Sequence, residues 1–572
     1  MHDVVIRDAT IVDGSGARSF TGDIAIEGER IVAVGVVEGT GRREIDAAGL
    51  LVTPGWVDIH THYDGQVTWD PEVTPSGWHG VTTVVMGNCG VGFAPVDPAR
   101  RDFLIQLMEG VEDIPGTALA EGMSWNWETF EEYLDEVASM PRVMDVAALV
   151  PHGAVRAYVM GDDAAVHDAA TPEQIDQMRA IVADALAAGA VGFSTTRTML
   201  HRAKDGELAA GTLAEVDELV GIGQALADTG AGLFSVASDM FDARSEFEWM
   251  TTVSRESGRP VTFGCLQSPV QSDNWVELLD LARSATAEGA RIVPQVAGKP
   301  ASVMFGFESS LHPFLHHRAY KAIAHLPFAE RIAKLKSPEV REAILAERVE
   351  YRGFQAILFE GFDRLYPLGD PPQYEPEPEA SVAAIARRTG RHPREVAYDL
   401  MLESDGRALL YFPLLGYADG DFGAIEAMLR DPDTVLGLGD GGAHCGVLCD
   451  ASLPTYMLTH WARDRTRGAR LSIEEVVHHQ TRRTAALYGF DDRGLVAPGY
   501  LADLNIIDFD ALRIAPPEMV YDLPAGGRRL IQRAEGYVAT IKSGVVVREH
   551  DEPTGERPGR LLRGGQPAPS GI

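Results

Sequence analysis

The sequence predicts an α/β fold, a (β/α)8 TIM barrel with a small β-sandwich domain formed by both chain ends. Three observations carry that expectation. Short apolar runs recur through the middle of the chain, among them TTVVMG, VAALVPHG, GAVGFST, GLFSVAS, PVTFGC, RIVPQVAG and TVLGLGD. Amphipathic stretches separate most of them. In TPEQIDQMRAIVADALAAG and NWVELLDLARSATAEG the apolar residues recur at three and four positions, as one buried helix face requires. Both chain ends instead alternate apolar and polar residues between Gly-rich turns, the period of a half-buried strand. Strands alternating with helices imply parallel βαβ units. About eight units over roughly 400 residues fit a barrel with insertions.

Taken in order, residues 1–54 read as the N-terminal part of the sandwich, with strands in VVIRDATIVDG, DIAIEGERIVAVG and LLVTPG. Residues 55–484 read as the barrel. Within it, residues 299–375 lose the βα rhythm: KPASVMFGFESSLHPFLHHRAY is rich in aromatic residues and His, and a Pro-rich piece, YPLGDPPQYEPEPE, follows further on. This stretch begins where a late strand ends, on the face where barrel enzymes carry their chemistry. It reads as a lid or substrate loop, with Phe305 and Phe314 as apolar substrate contacts, or else as a contact between subunits. Residues 485–572 return to strands in GLVAPGYLADLNIIDF and GYVATIKSGVVVRE and end in RLLRGGQPAPSGI, an arm or frayed tail. Neither flank is large enough to bury a core alone, so the two are expected to share one.

The bulk numbers exclude several classes of function. A net charge of −34, from 50 basic and 84 acidic residues, repels phosphates at long range and argues against a nucleic-acid partner. Four cysteines in 572 residues (Cys89, Cys265, Cys445 and Cys449) are too sparse for a disulfide framework and point to a reducing, cytoplasmic setting. The N-terminal MHDVVIRDATIVDG has neither the basic nor the apolar region of a signal peptide. No uninterrupted apolar stretch approaches the ~18 residues of a membrane span. The expectation is a soluble homo-oligomer acting on a small molecule.

The strongest chemical signal is VTPGWVDIHTHYD at residues 52–64. Alternate residues of a strand point the same way. His60 and His62 therefore project together at the C-terminal end of the first barrel strand, where two neutral imidazoles make half of a zinc site. The second signal is GLGDGGAH at residues 437–444, where Asp440 ends an apolar run and is followed by two glycines. A carboxylate there can bind metal and take a proton from water, or simply open a turn. His152, His201 and His444 follow other strands and are candidates for substrate binding or proton transfer; Arg156 and Arg197 could hold a carboxylate bidentately. Each could equally be held in ordinary hydrogen bonds or ion pairs.

Several of these segments, with GNCGVGFAP at 87–95, GAVGFST at 189–195 and PGYLADLNIID at 498–508, fall in the order of the amidohydrolase superfamily. Within it the chain resembles the N-acyl-D-amino-acid deacylase group, most tellingly in HTHYD and NCG, over nearly its whole length. The resemblance implies a zinc-dependent hydrolase of an amide. By position it implies His60, His62 and Cys89 as metal ligands and Asp440 as catalytic aspartate and further ligand. Cys89 could instead be an ordinary buried thiol. The chain also departs from the group. Two further metal histidines are expected at the fifth and sixth strands, but GLFSVASDMF has no His, VTFGCLQ places Cys265 in the His position with Gln267 close by, and GAVGFST has no Lys to serve as a carbamylated bridge. One Zn2+ per chain is the simplest remedy. Three functions stay open: deacylation of an N-acyl amino acid, hydrolysis of a cyclic amide or carbamate as in hydantoinase-like relatives, and a binding protein with a degraded metal site.

Overall fold

The computed structural model describes residues 1–569; Ser570–Ile572 of the terminal segment lie outside them. The molecule is α/β. Its centre is a run of parallel strands: Trp56–Asp58, Val81–Met86, Asp145–Ala148 with Val150–Pro151, Phe193–Arg197, Phe234–Ser238, Val261–Gly264, Ile292–Val296 and Val435–Leu436. Each pairs in parallel with the next. Between Ala148 and Val150 the chain changes partner, Leu149 N–H donating to Met86 and Val150 N–H to Gly192. A parallel bridge between Thr61 and Gly441 brings the segment after the last strand back beside the first. These strands are apolar because strands in a parallel sheet are buried on both faces. The helices between them are capped as their sequences suggest. Pro172–Ala188 opens at Thr171, whose side chain accepts from Gln174 N–H while the Gln174 side chain accepts from Thr171 N–H. It ends at Gly189, in the left-handed region with φ 116°.

The chain ends meet in one nine-stranded sheet. Leu504–Ile507 lies between Leu51–Pro54 and Tyr537–Lys542, antiparallel to both. His2–Ile11, Phe20–Glu27 and Arg30–Gly35 extend the sheet one way, and Val545–Glu549 extends it the other. Alternation does the sorting. Val4, Ile6, Ile24 and Ile26 bury on one face with Leu504, Ile506 and Ile541, while Val5 and Ala25 turn to the opposite face. The last described residues are an arm, not a frayed tail: Val146 bridges Leu561, Phe490 bridges Gln566, and Leu562 is buried.

The irregular insertion is a separate packing unit, longer than residues 299–375. It opens with Ala301–Phe305 and closes with the antiparallel partner Leu410–Leu415. Between them lie helices including Phe328–Leu335, Pro338–Ala346 and Pro393–Met401. Its own apolar core holds Phe305, Phe307, Phe314, Tyr398 and Phe412. No helix among the described residues is long and apolar enough to cross a membrane.

Candidate active site

The site is assembled by backbone hydrogen bonds at the C-terminal ends of the parallel strands. His60 and His62 follow strand Trp56–Asp58. The 437–442 loop docks directly on them: Asp440 N–H donates to His60 O at 2.9 Å and His62 N–H to Gly441 O at 2.7 Å. The glycines permit this approach. Gly442 has φ 86°, and a Cβ there would lie 2.9 Å from His62 O. Strand Val81–Met86 delivers the Asn88–Gly90 turn, and the Asn88 amide donates to the carbonyls of Ile59, Thr61 and Val85. The asparagine of NCG thus fastens the Cys89 turn to the HTH segment.

These contacts gather four side chains. Cys89 Sγ is 3.4 Å from His60 Nε2. Asp440 Oδ1 is 3.4 Å from His60 Nε2 and 3.8 Å from His62 Nε2. His60, His62 and Cys89 each offer a donor atom within 4.8 Å of the other two, the one such group of metal-binding side chains among the described residues. The backbone is strained here: Cys89 (φ 58°), Leu438 (φ 59°), Asp440 (φ 45°) and His444 (φ 48°) all occupy the left-handed region without being glycine.

The electrostatics fit a cation. Burial pushes the Cys89 thiol well up, with Glu112, Asp440 and Asp64 adding to it. Burial likewise raises Asp440 to about 6 and Asp64 to about 7. Burial drives His60 down to about 4 and His62 well below its ordinary value, leaving neutral imidazoles. A divalent cation would relieve acids pushed up in this way, and imidazoles pushed down are already in the neutral form that ligates one. The donor set of two imidazoles, a thiol and a carboxylate suits zinc.

Of the other candidates, the structure brings His201 and His444 to this cluster. His444 Nε2 is 3.5 Å from a carboxylate oxygen of Glu112. His201, its Nδ1 2.9 Å from Thr196 Oγ1, is pushed down to about 3 by burial and by the nearby His444 and His60. His152 and Arg156 are fully engaged with partners of their own. His152 Nδ1 meets Thr195 and its Nε2 meets Glu218, and Arg156 binds both Glu218 oxygens and two backbone carbonyls. Arg197 is held by Glu246 and the Ala214 carbonyl. As substrate contacts Phe305 and Phe314 are corrected: both are fully buried in the insertion core, Phe305 stacking on Phe412 at 5.7 Å and Phe314 edge-on to Tyr398 at 5.2 Å. Apolar collapse of the insertion explains their place better than a ligand does. Cys265 packs its sulfur 3.8 Å from that of Met428, and Gln267 ties down Asp419 and the Ser272 carbonyl.

Three polar residues of the site escape sequence reasoning. Gln295 Oε1 lies 3.1 Å from His60 Nδ1; a lone amide inside the apolar run RIVPQVAG is the signal that could have found it. Asp64 accepts from Gly87 N–H at 3.1 Å and is carried by the same HTHYD segment. Glu112, 1% exposed, lies 3.2 Å from His62 Nδ1; it ends an ordinary amphipathic helix, and no local pattern marks it.

The chain is similar to known proteins over nearly its whole length. A model of the amidohydrolase family matches residues 43–548. The chain is 26% identical to a D-aminoacylase of Alcaligenes xylosoxydans xylosoxydans over 98% of its own length and 97% of the relative's. It is 28% identical to an N-acyl-D-aspartate deacylase of the same organism, over 99% and 96% of the two chains. A crystal structure of D-aminoacylase, described as defining a novel subset of amidohydrolases, superposes with a TM-score of 0.64 at 25% identity, covering 98% of this chain and all of the other (100%). A second D-aminoacylase structure, at TM-score 0.65, 25% identity and 98% and 100% coverage, is described for a binuclear metal centre with one-metal activation and second-metal attenuation.

Proposed function

Because the chain belongs to the amidohydrolase family, we propose that it is a metal-dependent hydrolase of a C–N bond outside peptides that deacylates an N-acyl-D-amino acid. The observation that carries this is the convergence of His60, His62, Cys89 and Asp440 from three separate strand ends onto one point. The two deacylase relatives, each matched almost end to end, support the substrate class. The parallel pairing and its return through Thr61 and Gly441 support a closed (β/α)8 barrel, with the shared sheet of the chain ends as the sandwich.

His60, His62, Cys89 and Asp440 would hold one Zn2+ per chain. The places of a second ligand set hold Ser238 and Asp239 at the end of one strand and the packed Cys265 after the next. A divalent ion held by His60, His62, Cys89 and Asp440 would polarise a carbonyl and acidify water. The chain's own groups do the rest. Gln295 accepts the Nδ1–H of His60 and thereby turns Nε2 toward Cys89 and Asp440. The Asp440 side chain keeps 19% exposure where His60 and His62 keep 8% and 1%; Cys89 is also partly exposed, and of these two Asp440 is the group suited to take a proton from incoming water. Its carboxylate takes the proton of the attacking water and returns it to the departing amine nitrogen. His201 and His444 line the same space as neutral imidazoles able to bind substrate. The four cysteines are unpaired, which supports a reducing, cytoplasmic setting.

A panel of N-acyl-D-amino acids, their L-enantiomers and cyclic amides, assayed with zinc-loaded protein alongside elemental analysis, tests this. Turnover of the D-series with about one equivalent of zinc is the expected result. Preference for cyclic amides moves the substrate class to the hydantoinase type, and absence of any turnover by metal-loaded protein rejects the enzyme.

A further inference from the structure

We propose that Glu112 is a positioning residue of the metal centre, its carboxylate holding the Nδ1–H of His62 so that the Nε2 lone pair faces Asp440 and the other donors. This rests on the metal site proposed above and adds to it a residue outside that set.

Glu112 is the last residue of helix Arg101–Glu112, and Asp113, with φ 52°, turns the chain away. Its surroundings fix the carboxylate in place. Glu112 O accepts from Cys445 N–H at 3.3 Å, and Asp113 Oδ2 accepts from Gly446 N–H at 3.1 Å. The helix end is thereby tied to the loop that carries Asp440 and His444. From there Oε1 reaches 3.2 Å from His62 Nδ1, and Oε2 3.5 Å from His444 Nε2. The Oε1 contact falls short of hydrogen-bond alignment, yet neither His62 Nδ1 nor Glu112 Oε2 has a hydrogen-bond partner elsewhere.

Among the described residues no Lys or Arg nitrogen pairs with Glu112; its only basic neighbours are the two imidazoles. A carboxylate 1% exposed without a counter-ion is a cost to folding. It is retained here against the residue that most needs orienting. In the ionised form that a cation bound at the cluster would favour, Glu112 only accepts, and a neutral imidazole has one N–H, so the proton would sit on Nδ1 and leave Nε2 as a donor of its lone pair. His62 Nε2 is the nitrogen 3.8 Å from Asp440 Oδ1. His60 shows the same arrangement with a neutral partner, Gln295 on Nδ1 and Cys89 and Asp440 before Nε2. An anionic partner raises ligand basicity as well as fixing the tautomer.

The test is zinc affinity of the full chain by chelator competition, for the native protein, E112Q and E112A, with thermal unfolding of each in metal-free form. Loss of such a partner costs about 10–100-fold in affinity. That loss is expected for E112A, with a smaller one for E112Q, while the metal-free midpoints stay level or rise because an uncompensated buried acid has gone. Unchanged zinc affinity in both variants overturns the proposal. So does a fall in both metal-free midpoints with E112Q binding zinc normally, the mark of a packing role. If the native protein itself fails to bind zinc, the underlying metal site is what has failed.

Discussion

Two buried polar clusters sit at opposite ends of the parallel strands, and they are satisfied to very different degrees. At the N-terminal end Asp145 accepts from Arg493 at 2.7 Å and from the Arg560 backbone N–H at 2.9 Å, and pairs with Lys542 at 2.9 Å. Lys542 also donates to both Asp503 oxygens, and Arg493 pairs with Asp492. Every acid has its base, and no buried polar atom of Asp145, Arg493 or Lys542 lacks a partner. Burial alone would raise the Asp145 carboxyl, but Lys542 and Arg493 outweigh it and hold it at about 2. At the C-terminal end Asp58, His62, Asn88 and Glu112 each keep a buried atom without a hydrogen bond, and the acids are pushed up instead of down. The first cluster locks the end sheet to the strands. The second leaves buried polar atoms unpaired at the residues proposed to surround a metal.

Asp440→Asn should break the second cluster's purpose without harming the fold. We expect kcat on an N-acyl-D-amino acid to fall by about 10²–10⁴-fold, with the unfolding midpoint unchanged or slightly higher. Near-native turnover would move the proton acceptor to another residue.

Asp145→Asn should do the converse. It leaves Arg493 and Lys542 short of a buried partner, which costs about 3–5 kcal/mol of stability in denaturant titration, while zinc content and kcat of the folded protein persist. The pH dependence has a defined sign. The folded carboxyl titrates near 2, below its ordinary 3.8. Its contribution is therefore fully present above about pH 4 and is lost as pH falls from there through about 2. The variant should show a shallower loss of stability over that window; an identical acid limb would remove Asp145 from the account.

The insertion is the third buried region, and its aromatic core is apolar. Phe305→Ala should cost about 3 kcal/mol, seen as earlier unfolding or proteolysis of residues 301–415, with substrate preference retained. A changed preference at unchanged stability would return Phe305 to the pocket. The smallest effect belongs to Arg560→Ala. Its guanidinium pairs with Glu29 at the surface, both about half exposed, an interaction of about 0–1 kcal/mol. The Asp145 contact, made by the backbone N–H, survives the substitution.

Legibility followed range along the chain. HTH, NCG and GLGDGG each lie within a few residues of a strand end, so strand periodicity was enough to put His60 and His62 on one face, whereas Cys89 and the catalytic role of Asp440 came from the resemblance to the deacylase group. His152 and Arg156 also follow a strand end, yet Glu218 claims both. Whether a polar side chain is free or consumed depends on a partner 62 or 66 residues away, and no local pattern reports it. Phe305 and Phe314 were misplaced because an aromatic residue reads the same in a pocket and in a core.

What the sequence determined by itself was the set of periodic elements and the short motifs at their ends, since side-chain direction within one strand or helix is set by backbone geometry alone. What only the tertiary structure decided was the pairing of groups distant in the chain. Glu112 came against His62, Gln295 against His60, Asp145 between Arg493 and Lys542, and the insertion closed on itself between residues 301 and 415. The physical reason is that burial makes polar groups demand partners, and which partner arrives is fixed by packing the whole chain.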